Sequence, residues 1–240
     1  TPLRTIIAEG RGLNPLLQNF WMQIHPPILF LGFAMCVVPF AFAMAGLIRR
    51  EYATWVAYSF PWTLSAMGIL GLGIMLGGYW AYGVLGWGGY WAWDPVENAS
   101  LVPWLTGSAL IHTMIVQRRS QKKAKGAGRY GKANLILAIL TFVLVIYSTF
   151  LTRSGILADA SVHSFGDPGQ MVYLVLLAFL SVFFFSGLFL ILRRWNEIDT
   201  SYEEKEESVA SRELTLFTSA VALCASALIV FTGTSLPIFG

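Results

Sequence analysis

The chain has 240 residues, of which 56% are hydrophobic, 15% aromatic and only 12% charged, and its formal net charge is +3. A mean hydropathy of +0.63 lies outside the range of ordinary soluble domains and excludes a soluble enzyme. The basic residues cluster at the ends of apolar runs, so the small positive excess describes loops and implies no nucleic-acid partner.

In chain order, residues 1–24 mix Arg11, Asn14 and Gln18 with Leu13, Leu16, Leu17, Phe20, Trp21 and Ile24. This pattern predicts a short helix along the membrane surface, with Pro15 near its start and His25-Pro26-Pro27 at its end. A first span is expected over residues 28–48, kinked near Pro39 and closed by Arg49-Arg50-Glu51. No charge occurs between Glu51 and Asp94, a longer run than the ~20 apolar residues that one spanning helix needs. A second span falls within residues 55–80. Gly68, Gly71, Gly73, Gly77 and Gly78 line it and allow close approach of a neighbouring helix or of a flat ligand, with plain helix packing the simpler account. A third span, about residues 98–117, contains His112. The strongest basic loop follows over residues 118–132 and precedes a fourth span at 133–152. Arg153 opens a polar loop that holds His163. The fifth span covers 171–192, a charged linker 193–212, and the sixth span 214 to about 235. The expected fold is an all-α polytopic membrane protein of about six transmembrane helices.

By the positive-inside rule, loop 118–132 faces the cytoplasm or its equivalent. Alternation of the spans then brings Arg49-Arg50 and Arg193-Arg194 to the same side, so all three basic clusters agree. The opposite face holds His25, the tryptophan-rich segment and His163; in bacteria that face is the periplasm. Cys36 and Cys224 sit inside apolar runs, which argues against a disulfide framework or a zinc site. No Cys-x-x-Cys-His occurs, so no haem is expected to be attached covalently to this chain. The chain starts at Thr1 without a signal peptide and ends in Leu236-Pro237-Ile238-Phe239-Gly240, which reads as an internal piece of a longer protein.

The segment 87–104 reads Trp-Gly-Gly-Tyr-Trp-Ala-Trp-Asp-Pro-Val-Glu-Asn-Ala-Ser-Leu-Val-Pro-Trp. It gathers Trp87, Tyr90, Trp91, Trp93 and Trp104 around two charges, Asp94 and Glu97. Scattered tryptophans form interfacial belts, because one end of the ring is apolar and the other hydrogen-bonds. An ordered run closed by Asp-Pro-Val-Glu-Asn suits a platform for a flat apolar group better. The residues Trp87 to Asn98 resemble the WWD signature of haem-handling membrane proteins. The continuation Ala99-Ser100-Leu101-Val102-Pro103-Trp104-Leu105 is similar to the CcmF branch, the cytochrome c-type biogenesis (haem lyase) family. Tyr90 stands where many members carry another Trp, and its ring keeps the platform aromatic. The likeness extends over nearly the whole of residues 1–240.

This resemblance implies a haem-handling region over 1–240, with Trp87, Trp91, Trp93, Asp94 and Trp104 in the haem-binding segment. It implies His25 and His163 as the two ligands of an external haem iron, consistent with the preference of iron for neutral imidazole among ring-rich walls. It implies His112 as one ligand of a haem b within the membrane, its partner lying on a span after residue 240. An imidazole hydrogen-bonding a neighbouring helix is the simpler account of His112, although ionisable groups inside spans are costly and commonly functional. Asp94 also suits a turn-holding role, and Glu97 is open between a structural and an acid–base role. Arg153 suits either a bidentate contact to a haem propionate or interfacial anchoring. No catalytic residue follows from the resemblance. The implied function is haem ligation to apocytochrome c on the external face of a bacterial inner membrane or its organellar counterpart. The implied partners are the membrane, haem, apocytochrome c, a haem chaperone and other cytochrome c maturation proteins. A haem exporter or chaperone, and a haem-free membrane scaffold, are the alternatives.

Overall fold

In a computed structural model describing residues 12–86, 88–121, 127–157, 161, 168–198 and 211–238, the described residues form helices and connections only. The helices are α1 (Phe20–Met35), α2 (Val37–Arg49), α3 (Trp55–Val84), α4 (Pro95–Ser120), α5 (Gly131–Arg153), α6 (Gln170–Arg194) and α7 (Arg212–Ser235). Taking α1 and α2 together, six helical stretches are long and apolar enough to cross a membrane, the six spans expected from hydropathy.

The first span departs from expectation at its start, while its end at Arg49 is as expected. Of the expected surface segment, residues 1–11 lie outside the described residues; the rest holds one 3-10 turn, Pro15–Leu17, whose start is capped by the Asn14 side chain. From Phe20 the chain is already in the spanning helix, with Asn19 as its N-cap. His25-Pro26-Pro27 therefore lies inside α1 and does not terminate a helix. Two prolines remove only the bonds that would reach the Met22 and Gln23 carbonyls, a loss that a packed membrane helix tolerates. The break comes later, at Cys36, between α1 and α2. Pro39 has no N–H to offer the Met35 carbonyl, so the helix re-forms after one irregular residue, as the expected kink near Pro39 requires.

The helix α4 is the hub and packs against α3, α5 and α7, while α1 runs closely along α3. The helix α6 shows Met171, Val175, Phe185 and Leu192 outward, as a lipid-facing helix does. Lipid gives no hydrophobic drive to pair helices, so small residues and hydrogen bonds hold the bundle together. A Cβ added at Gly32 would come within 2.6 Å of the Leu70 backbone, and one at Gly73 within 2.7 Å of the Leu29 backbone. These two glycines are what let α1 and α3 touch.

Polar groups cluster at the end that carries the basic residues. The buried Asn134 amide donates to Gln117 Oε1 at 2.5 Å and accepts from the Thr113 hydroxyl at 2.5 Å, and Gln117 Nε2 donates to the Ala127 carbonyl at 2.8 Å. Gln121 Nε2 reaches the Ala53 carbonyl at 2.8 Å, tying the turn before α3 to the end of α4. Glu197 accepts from the Tyr52 hydroxyl at 2.8 Å and pairs with Arg194 at 2.8 Å and Arg50 at 3.5 Å. The Tyr52 hydrogen bond and then these guanidiniums hold its carboxyl below the usual range.

Every lysine in the sequence, at 122, 123, 125, 132 and 205, falls in a segment assigned to this end. An impermeant amine reagent should therefore label none of these side chains in intact cells and all of the exposed ones after the membrane is opened. Modification of Lys123 from outside would reverse the orientation and remove the common external face proposed for His25 and His163.

Candidate functional site

At the opposite end, the segment after α3 folds back over that helix before entering α4. Asp94 is the N-cap of α4: its carboxylate accepts from the Val96 N–H at 2.8 Å, and Pro95 occupies the first helical position. The same carboxylate oxygen accepts from the Ser161 hydroxyl at 2.7 Å, which fastens the loop after α5 to this turn. Glu97, three residues on, turns back and accepts from the Ala92 N–H at 2.9 Å. This is a capping box displaced by two residues, since its usual target is the N–H of the cap itself. Asn98 completes the frame. Its Oδ1 accepts from Trp91 Nε1 at 3.2 Å, and its Nδ2 donates to the Trp93 carbonyl at 3.1 Å. Trp93 has φ +59°, a left-handed conformation that costs a bulky residue energy, and its ring is 64% exposed. Asn98 is the residue that pins this backbone beneath the exposed tryptophan.

The helix α3 supplies the floor. Tyr90 stacks on Tyr82 at 4.3 Å with 7° between planes, and Trp21 meets Tyr79 edge-on at 4.9 Å. A Cβ at Gly78 would fall 2.9 Å from the Tyr90 carbonyl, so the aromatic segment lies directly on that glycine. Trp80 Nε1 donates to the Leu16 carbonyl at 3.3 Å and holds the N-terminal turn against the same end.

His25 enters this floor from α1. Its Nδ1 donates to the Gly73 carbonyl at 2.7 Å. It lines a cavity of about 70 Å³ with Gly77, Trp91, Glu97 and Ser100. Beside it, and sharing Ile74, Gly78 and Trp91 as walls, lies an apolar groove of about 620 Å³ that includes Trp21, Met75, Tyr79 and Tyr90. The groove is within the size range of cofactor sites and is walled by aromatic and aliphatic side chains. An imidazole at the edge of a ring-lined groove is a donor set that fits haem, with nitrogen for the iron and apolar rings for the porphyrin.

The sequence-derived residues divide by place. His25, Trp91, Trp93 and Asp94 come together here. Trp104 does not line the cavity or the groove; its Nε1 donates to the Met67 carbonyl at 3.0 Å, and it packs on Gly71 of α3. At 1.5 Å per residue it sits ~14 Å along α4 from Pro95. Arg153 is exposed at the end of α5, on this side of the bundle. Trp87 and His163 lie outside the described residues. His112 is ~26 Å along α4 from Pro95 and so forms no part of this site. Its Nδ1 donates to the Ser108 carbonyl at 2.7 Å. It belongs to a half-buried stripe of Leu101, Trp104, Ser108, Ile111 and Ile115 on a helix otherwise largely buried. Within that stripe Trp104 packs on α3 and Leu101 packs against the core, so the stripe is not an empty face. One imidazole there fits one axial position of a haem b; among the described residues no group of three or more possible metal ligands exists. Asn98, Gly73 and Gly77 were not singled out as site residues from sequence, although Asn98 closes the Asp-Pro-Val-Glu-Asn run noted there.

Residues 2–157 match the cytochrome C assembly protein family. The chain is 42% identical over 233 residues to the cytochrome c-type biogenesis protein CcmF of Haemophilus influenzae, covering 96% of this chain and 34% of that protein. It is 43% identical over 234 residues to the cytochrome c-type biogenesis protein ccl1 of Rhodobacter capsulatus, covering 96% and 33%. A solved structure titled cytochrome c heme lyase CcmF superposes with a TM-score of 0.69 at 37% identity, over 92% of this chain and 32% of that one. The chain thus spans about a third of the length of the relatives it matches. With a family match over most of its length and an all-helical membrane fold shared with a solved relative, the chain belongs to the cytochrome c assembly family, in its CcmF branch of cytochrome c-type biogenesis proteins.

Proposed function

We propose that this protein binds haem at the external face of the bacterial inner membrane and takes part in its thioether attachment to apocytochrome c. The observation that carries the reading is the His25 imidazole, fixed through Nδ1 to the Gly73 carbonyl, beside Trp91 at the edge of an aromatic groove. Haem is the substrate here. His25 holds its iron from one side, and His163 is the residue proposed for the other. Trp91 and Trp93, with Trp87, provide the stacking faces, and Arg153 suits a propionate. Asp94 shapes the turn, and Trp104 braces α4 on α3 beneath it.

In the reaction each cysteine thiol of the apocytochrome adds across a vinyl group of the haem. The S–H bond breaks, an S–C bond forms, the vinyl double bond becomes single, and its far carbon takes up a proton. No net oxidation or reduction occurs. The vinyls are the haem's own, so the protein contributes binding, orientation and exclusion of water from the iron. His112 is proposed as one ligand of a separate haem b; its second ligand must come from outside residues 1–240, since the only other histidines belong to the external site. A haem chaperone and the other cytochrome c maturation proteins are the partners this role requires.

Protein purified from haem-replete cells should show a Soret band and a b-type pyridine haemochrome. Colourless protein from such cells would contradict the reading and favour a scaffold. Coloured protein from a strain that exports haem normally but makes no holocytochrome c when the gene is deleted separates attachment from export.

A further inference from the structure

Gly73 and Gly77 lie one helical turn apart on the face of α3 that meets α1. They act on the His25 ring in two different ways. The Gly73 carbonyl accepts the Nδ1 proton at 2.7 Å. A Cβ built at Gly77 would lie 2.5 Å from Cε1, 2.8 Å from Nδ1 and 2.9 Å from Nε2 of the same imidazole. Near-equal distances to three ring atoms mean that the ring lies flat over the Gly77 Cα. The missing Cβ serves another purpose at Gly32 and Gly73, where it makes room for the backbones of Leu70 and Leu29. At Gly77 the nearest atoms are the imidazole alone.

We infer that Gly73 and Gly77 form a positioning seat that sets the tautomer and the plane of His25. The Gly73 carbonyl keeps the proton on Nδ1, so that Nε2 carries the lone pair that ligates iron. Gly77 lets the ring lie low enough on α3 to reach that carbonyl. A methyl group at 77 lifts the ring and breaks the Nδ1 hydrogen bond that fixes its tautomer and plane. This seat rests on the reading of His25 as an iron ligand, but the tautomer it imposes is a property of the haem-free protein as well.

Three histidines in the sequence make nitrogen-15 labelling of the imidazoles practicable in protein purified from its own membrane. In the haem-free state the His25 signal, assigned by its loss in His25→Ala, should show the proton on Nδ1. Gly77→Ala should abolish that state and weaken haem binding roughly 10- to 100-fold, as loss of a ligand's supporting partner does. Added imidazole should restore part of the binding. Gly68→Ala, where an added Cβ meets nothing within 4 Å, should leave both unchanged. Should Gly77→Ala fail to accumulate, the double variant with His25→Ala should accumulate normally, because the ring that clashes is gone. A proton on Nε2 in the unaltered protein overturns the seat. So does Gly77→Ala with normal haem affinity while His25→Ala is impaired, or an equal Gly77→Ala defect with and without the His25 ring. Unchanged haem binding in His25→Ala instead overturns the ligand reading, and the seat with it.

Discussion

Replacing either His25 or His163 by glycine is expected to cut cytochrome c maturation by more than the roughly 10- to 100-fold that follows loss of a mere supporting partner of a metal ligand. The ground is steric as well as chemical. His25 donates a hydrogen bond to the Gly73 carbonyl of α3 and lines the cavity beside the groove, so a glycine in its place leaves room there for a free imidazole. Imidazole from the medium should enter that position and return part of the yield in either glycine variant. His112→Gly should behave differently. It lies ~26 Å along α4 from Pro95, so imidazole rescue of the external site should be unaffected by it and its defect should appear in a separate haem. Yields read from haem-stained cytochrome c, normalised to the amount of the membrane protein, decide the matter.

The second large effect is expected at the aromatic segment. Trp91→Ala and Trp93→Ala should each lower haem retention by roughly two- to tenfold, the equivalent of the ~0.5–1.5 kcal/mol attributed to one aromatic contact. Membrane insertion should be unchanged. Asn98→Ala should reproduce both losses without touching a ring, since Asn98 alone bonds Trp91 Nε1 and the Trp93 carbonyl. Leaving these partners unsatisfied costs about 1–3 kcal/mol, and the left-handed Trp93 then loses the bond to its own carbonyl. A fall in protein level with haem per protein unchanged would instead support an interfacial belt.

These two sites show what a sequence can and cannot disclose. The spans were legible because charge-free runs of sufficient length admit few alternatives in lipid, and the observed helices begin and end within a few residues of the hydropathy limits for the second to sixth. The start of the first span was misread. Pro26 and Pro27 look like a terminus in one dimension, but the two bonds they remove are few beside the packing of α1 on α3. A turn-holding role for Asp94 was legible beside Pro95, but the part of Glu97, left open from the sequence, came only with its bond to the Ala92 N–H. The pairing of His25 with Gly73 and Gly77 was not legible, because contacts 48 residues apart leave no local pattern. The glycines were noticed, and only the helices facing them tell which pack backbone and which, as Gly71 and Gly77 do, receive a ring.

The central claim is that His25 and His163 cap one haem against the tryptophan-rich segment of the external face. Low-temperature electron paramagnetic resonance of the oxidised protein, with haem counted by pyridine haemochrome, tests it most directly in the His25→Gly, His163→Gly double variant. The account predicts loss of one bis-histidine signal and of its haem, with any haem bound through His112 retained. An unchanged bis-histidine spectrum together with normal cytochrome c maturation in that double variant would contradict it.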